Sequence, residues 1–389
     1  MTLREPGRGS QGDHRARPGR QAPLSGRQGA DPQDVTGAAK ARSVDAIAEA
    51  RKPARETVWL RYLTGADIDT LGITHADIVG AVEDVLADHG RGEVVFEPRT
   101  HLVPDNGGKG HFNILRGHLS AKQVSGVKVV GDFVGNYERG LPSEMALIML
   151  FDPDTGMPRA IVDGTMITEA RTGAMTAVGA KYLARPDSRV LGHIGARGTA
   201  WWNVVLLDSL FDFAEIRVTS KRPESREEFG RRLSEHLGKD VRVCSSAAET
   251  LDGADIQVEA SRLVEPEALV RREFLRPGTF LVPYGTISAL ELTLLDDIDK
   301  VVVDDWRESQ SGNPRFGALR PQLNAGLLTE DRVHAEIGDV VAGTKPGRES
   351  DDERILFWHR GLSTTDVAVA NMILGRAQAA DIGTMLPYR

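Results

Sequence analysis

The stretch Gly192-His193-Ile194-Gly195-Ala196-Arg197-Gly198-Thr199-Ala200 decides how the rest of the chain is read. Residues 189–194 lead into it as a strand, and residues 199–211 leave it as a helix. A strand that passes through a glycine turn into a helix brings backbone N–H groups and the positive helix end to one point, which suits a pyrophosphate. The stretch departs from the usual Gly-x-Gly-x-x-Gly pattern, because Arg197 stands at the second signature position and Gly198 one place later. Such turns also arise for steric reasons alone, so the flanking segments have to carry the reading.

Those segments alternate. A strand at 215–219, a helix at 226–237 and strand candidates at 255–259, 279–282 and 300–303 predict a parallel sheet with crossover helices, a Rossmann-type domain over 188–335. The second strand runs into Thr219-Ser220-Lys221-Arg222, where an NAD site usually carries Asp or Glu for the ribose hydroxyls. A carboxylate there would repel a 2′-phosphate, whereas Ser220, Lys221 and Arg222 can hydrogen-bond and neutralise it. The expected cofactor is therefore NADP(H) in preference to NAD, with Gly195, Arg197, Gly198 and Thr199 at the pyrophosphate and Ser220, Lys221 and Arg222 at the 2′-phosphate. The competing readings are a solvated Lys-Arg turn, and an Arg197 that blocks the phosphates instead of covering them.

Upstream, residues 1–56 are rich in Arg, Gly and Pro and nearly free of large apolar residues, which predicts a disordered tail. Its arginines mimic an organellar transit peptide, but Pro and Gly spoil the amphipathic helix such a signal needs, so a cytoplasmic protein is expected. An α+β unit follows over 57–187. A helix capped by Thr74 carries Ile78, Val79, Val82, Val85 and Leu86; strand-like runs lie at 94–96, 127–133, 145–151 and 159–162. A long helix at 165–183 presents Ala170, Ala174, Ala177 and Val178 on one face before Arg185-Pro186-Asp187 breaks it. Residues 363–380 again read as a helix, with Ser363 as N-cap, and Trp201 and Trp202 read as helix-packing residues.

The formal charge of −8 argues against a nucleic-acid partner, and no apolar run approaches the roughly 20 residues of a membrane span. The single cysteine, Cys244, excludes an intrachain disulfide and a Cys-based zinc site. His101, His111 and His118 fall in a segment read as turn-rich, without ligand spacing, so no metal is expected. No nucleophile-elbow motif supports a serine hydrolase.

The chain resembles the ornithine cyclodeaminase and mu-crystallin family. Thr168-Glu169-Ala170-Arg171-Thr172-Gly173-Ala174 is similar to the family's T-x-x-R-T-x-A signature, and Leu183-Ala184-Arg185-Pro186 follows at the right distance. Pro98-Arg99, Gly126-Val127-Lys128, Glu336-Ile337-Gly338-Asp339-Val340-Val341-Ala342-Gly343 and the stretch from Gly361 to Asp366 resemble its other blocks. The resemblance implies a homodimer whose α+β substrate and dimerisation domain is built from N- and C-terminal segments, 57–187 and 336–389, around an inserted Rossmann domain. It also implies Arg99, Lys128 and Arg171 as the catalytic and substrate-binding residues, Thr172 beside the cofactor, and Asn136 as a further candidate. The chemistry agrees: a guanidinium fork suits a carboxylate, and a lysine beside an imine or carbonyl supplies a charge or a proton.

The departures from the family narrow the function. The acid of a late Gly-Gly-Asp turn is absent from Val282-Pro283-Tyr284-Gly285-Thr286-Ile287, Ile114-Leu115-Arg116-Gly117 replaces a Met-Pro segment, and Phe357-Trp358-His359 replaces Phe-Lys-Ser. His359, Arg360 and Arg116 become candidates for added substrate contacts, with His359 equally readable as satisfying a backbone group. The leading expectation is an NADP(H)-dependent oxidoreductase that reduces an imine or 2-oxo acid derivative of an amino acid, or runs the reverse dehydrogenation. The alternatives are an ornithine cyclodeaminase-type ammonia lyase using NAD and a non-catalytic, NADP(H)-dependent binder of a small molecule.

Overall fold

The computed structural model describes residues 57–388, and the tail expected at 1–56 lies outside them. Two sheets form the frame. The first runs β15-β1-β6-β5-β4-β3-β2, with strands β1 (Trp59–Leu63), β2 (Val94–Leu102), β3 (His111–Leu119), β4 (Val124–Asp132), β5 (Glu144–Phe151), β6 (Pro158–Asp163) and β15 (Thr384–Pro387). It is antiparallel except where β1 lies parallel to β6.

The second is the parallel sheet that the alternation predicts, in the order β13-β12-β14-β11-β10-β7-β8-β9. Its strands are β7 (Val190–Ile194), β8 (Glu215–Thr219), β9 (Val241–Val243), β10 (Ile256–Glu259), β11 (Phe280–Pro283), β12 (Lys300–Val303), β13 (Val333–Glu336) and β14 (Ile355–Trp358). The chain steps from β7 to β8 and β9, then returns to β10 on the other side of β7. That reversal opens a crevice at the carboxyl end of β7, where open α/β sheets bind ligands.

The helix Thr165–Leu183 joins the two sheets. It is buried on every side, not on one face as its alanines suggested, and Ala, Gly and Thr at most positions let neighbouring elements approach it closely. The C-terminal helix Ser363–Ala380 has the same character and packs on β3, β4 and β5. Ser363 does not cap it. Leu362 takes the cap position, and the Ser363 hydroxyl donates to the Arg116 carbonyl at 2.6 Å, tying the helix start to β3. At Thr74 the expected cap is present, as a capping box with Asp77.

Three further differences from expectation matter. Residues 111–119 form a full strand, so His111 and His118 sit in a ladder between β2 and β4; Asn, Gly and His obscured the period-two pattern that pairing on both sides enforces. Pro98 cannot donate to the β2–β3 ladder, and the register breaks between Glu97 and Thr100, around Arg99. Finally, the segment 336–389, expected to return wholly to the substrate unit, is divided: β14 lies between β11 and β12 in the parallel sheet, while the helix after it lies on the antiparallel one.

Candidate active site

At the end of β7, Gly195 takes a φ of +118°, and a Cβ there would come 2.7 Å from the Ala260 carbonyl oxygen. Only glycine fits, and the bare backbone leaves room for a phosphate. The helix Ala200–Asp208 starts five residues later. His193, wholly buried, holds this turn from below. Burial lowers its pKa to about 4 and keeps it neutral. Its Nε2 accepts from the Asn203 amide at 3.1 Å, so its Nδ1–H faces the Gly195 carbonyl at 3.1 Å.

Around the loop mouth, the Arg197 and Arg222 guanidiniums lie 5.1 and 5.5 Å from the centre of the Tyr137 ring. Ser220 and Lys221 sit between the end of β8 and the helix Pro223–Leu237, with the Ser220 hydroxyl donating to the Arg222 carbonyl at 3.3 Å. Among the described residues, Arg197, Lys221 and Arg222 have no carboxylate partner. Three uncompensated cations around a bare glycine turn fit a phosphate-bearing dinucleotide.

The second half of the site is buried between the sheets. Lys128 points inward from β4 at 1% exposure, and its Nζ donates to Asp366 Oδ1 at 2.7 Å and to the Thr168 hydroxyl at 3.4 Å. Arg171, from the joining helix, donates through Nε to the same Asp366 oxygen at 2.9 Å. Burial pulls the Lys128 pKa down to about 8; Asp366 opposes that shift and the Arg171 charge adds to it. Arg171 Nη1 and Asp366 Oδ2 are buried with no hydrogen-bond partner. Buried ionic atoms without partners are rare and expensive, and a carboxylate and an amine are the groups that would satisfy these two.

Arg99 is brought near this group but is already engaged. Its Nε donates to Glu308 Oε1 at 2.5 Å, and its Nη2 donates to the Arg360 and Gly361 carbonyls. Gly361, at φ +86°, lies so close to Arg171 that a Cβ would overlap Nη1. Asp304, pushed up to about 6 by burial beside Glu308, accepts from the Arg360 and Gly361 amides, each at 2.7 Å. The loop 360–361 is thus pinned from one side and pressed against both arginines.

The remaining candidates separate clearly. Thr172 follows Arg171, but its hydroxyl donates to the Thr168 carbonyl in its own helix at 2.7 Å. His359 is buried and kept neutral, at about 3, by burial and then by Arg171. It hydrogen-bonds the Thr176 side chain at 3.0 Å, not a backbone group, and faces the Tyr284 ring at 4.8 Å. Tyr284, in the turn that lacks the family's acid, shares a 2.6 Å hydrogen bond with Thr199 and accepts from Asn203. Asn136 donates to the Pro142 carbonyl and shapes its own loop. Arg116 faces outward and pairs with Glu97, away from the cleft.

Sequence reasoning passed over three acids. Asp366 closes the stretch from Gly361 that resembles a family block, and nothing local singles it out. Glu259, at the end of β10, is wholly buried with Oε2 unpartnered, and burial raises it to about 7. Glu169 rises to about 7 through burial and the nearby Glu144. The ionisable cluster His89, Asp305 and Glu336 also lies outside the cleft, with ligand-type atoms within 4.8 Å of one another; there Asp305 already holds Arg307 at 2.9 Å.

A dinucleotide crevice opening beside a buried lysine and arginine defines a nicotinamide-dependent oxidoreductase. The chain belongs to the ornithine cyclodeaminase/mu-crystallin family, whose model matches residues 47–381. It is 29% identical over 300 residues to ketimine reductase mu-crystallin of Rattus norvegicus, covering 76% of this chain and 90% of that one. The structure of Thermococcus litoralis Δ1-pyrroline-2-carboxylate reductase in complex with NADH and L-proline superposes with a TM-score of 0.78 at 29% identity, covering 84% of this chain and 99% of that one. An archaeal alanine dehydrogenase dimer with bound NAD gives 0.77 at 30% identity, covering 85% and 100%.

Proposed function

We propose that the chain is an NADP(H)-dependent reductase of an imine or 2-oxo acid derivative of an amino acid, with the dehydrogenation of the amino acid as its reverse. The observation that carries this reading is the buried group Lys128, Asp366 and Arg171. A bound nicotinamide supplies or accepts the hydride. Arg171 holds the substrate carboxylate through its unpartnered Nη1, and Arg99 acts beside it through the shared loop 360–361. Lys128, with its pKa brought down to about 8, passes a proton to the imine nitrogen in reduction and takes it back in oxidation. Asp366 fixes the lysine and keeps the desolvated site close to electroneutral. The absence of an acid in the turn 282–287 disfavours the ammonia-lyase alternative, and the buried lysine favours catalysis over mere binding.

The preference for NADP(H) rests on Ser220, Lys221 and Arg222 with their uncompensated charge. Ser220→Asp is expected to weaken NADPH binding by about ten-fold, the effect of one added like charge near a partly solvated phosphate, with NADH affinity held. Fluorescence titration reads both, and an unchanged ratio removes this turn from phosphate recognition.

A homodimer and a cytoplasmic setting complete the reading. The face of the antiparallel sheet turned away from its helices leaves Val95, Met145 and Leu147 exposed at 58%, 42% and 49%, beside the partly buried Ile114, Val127 and Val129. An apolar sheet face of that kind suits a second copy of the chain. Sedimentation is expected to give a dimer for the wild type and a monomer for Leu147→Glu; a monomeric wild type contradicts the proposal.

A further inference from the structure

We propose that Tyr137 is a cofactor-site residue, carried by the antiparallel sheet, whose ring holds the Arg197 and Arg222 guanidiniums as one anion clamp over the adenosine-phosphate half of the dinucleotide. The proposal rests on the nicotinamide-dinucleotide reading of the crevice, but not on which dinucleotide is preferred. Three separate segments meet at this ring: the short helix Val134–Arg139 between β4 and β5, the turn after β7 and the turn after β8. Two like charges on one half-exposed ring, with no carboxylate among the described residues to offset them, make an arrangement that an anion completes.

Stacking uses the face of a guanidinium and leaves its in-plane N–H donors free for phosphate oxygens. Among the described residues the Arg197 guanidinium makes one hydrogen bond, a long one of 3.5 Å from Nη2 to the Ser225 hydroxyl. Arg197 belongs to the pyrophosphate turn and Arg222 to the turn that follows β8, so the ring joins the two phosphate-reading ends of the cofactor. The loop that carries Tyr137 is itself fixed at both ends. Arg262, from the segment after β10, donates to Asp132 at 2.9 Å and to Glu144 at 2.5 Å, the last residue of β4 and the first of β5. Cofactor phosphate is thereby tied to the strand that bears Lys128.

The test is equilibrium binding to the full-length protein of NADPH, NADH, 2′,5′-ADP and reduced nicotinamide mononucleotide for the wild type, Tyr137→Ala and Tyr137→Phe. The wild-type NADPH/NADH ratio decides the cofactor proposal separately, and the clamp is read on whichever dinucleotide binds more tightly. Tyr137→Ala is expected to lose roughly ten-fold in affinity for that dinucleotide, because two guanidiniums that the ring holds in place would then have to be ordered on binding. Tyr137→Phe is expected to match the wild type, and neither variant to alter mononucleotide binding. The proposal is overturned if Tyr137→Ala stays within two-fold of the wild type, if Tyr137→Phe is as weak as the alanine variant, or if the mononucleotide weakens equally.

Discussion

Lys128→Met is expected to lower turnover by roughly 10²–10⁴-fold, the usual range for removing a general acid–base group, while NADPH binding stays within a few-fold of the wild type. Methionine approximates the volume of the buried stem and removes only the ammonium group. The wild-type pH profile carries the matching signature. Lys128 must be protonated to give its proton in reduction, so the reductive rate is expected to fall as pH rises through about 8. The oxidative rate, which needs the free amine, is expected to rise over the same window. Stopped-flow hydride transfer in both directions checks this, and a methionine variant that turns over near the wild-type rate, or retains the pH 8 limb, takes the lysine out of the mechanism.

Asp366→Asn is the second large effect. One carboxylate oxygen serves both Lys128 and Arg171 at full burial, so the amide leaves two neighbouring cations without a counter-charge. Breaking a buried ion pair from one side costs about 3–5 kcal/mol, and a loss near the lower end of that range is expected in equilibrium unfolding because the amide oxygen still accepts. With its negative neighbour gone, Lys128 gives up its proton more easily. The alkaline limb of the reductive profile is therefore expected to move to lower pH. A variant with unchanged stability and an unmoved limb would falsify the coupling of the two residues.

The glycine turn, the alternation after it and the joining helix were legible because each rests on local chemistry: a φ that only glycine takes freely at Gly195, strand and helix periods, and a proline stop. The place of Ser220, Lys221 and Arg222 in an acid-free turn after β8 was legible from the strand and helix signals around it, and their reading of a 2′-phosphate belongs to the proposal. Asp366 was not, because an Asp in the first turn of a helix reads as dipole complement or cap; its role exists only where residues 128, 171 and 366 meet. The true partner of Arg99 was hidden for the same reason, since Glu308 lies 209 residues away. Strand β14 is a run of four apolar residues, Ile355–Trp358, and so short a run does not distinguish a strand from a buried helix segment. The outward direction of Arg116 follows from the β3 register, which a misread turn conceals.

Strand β14 also bears on how the polypeptide reaches its native state. It fills the gap between β11 and β12, and β15, near the end of the described chain, pairs with β1 at its beginning. During synthesis neither sheet can be completed until β14 and β15 have left the ribosome. Until then β11 and β12 expose unpaired edges, and covering them takes contacts of very high sequence separation. Nascent chains stalled before residue 355 thus carry open strand edges that invite chaperone binding.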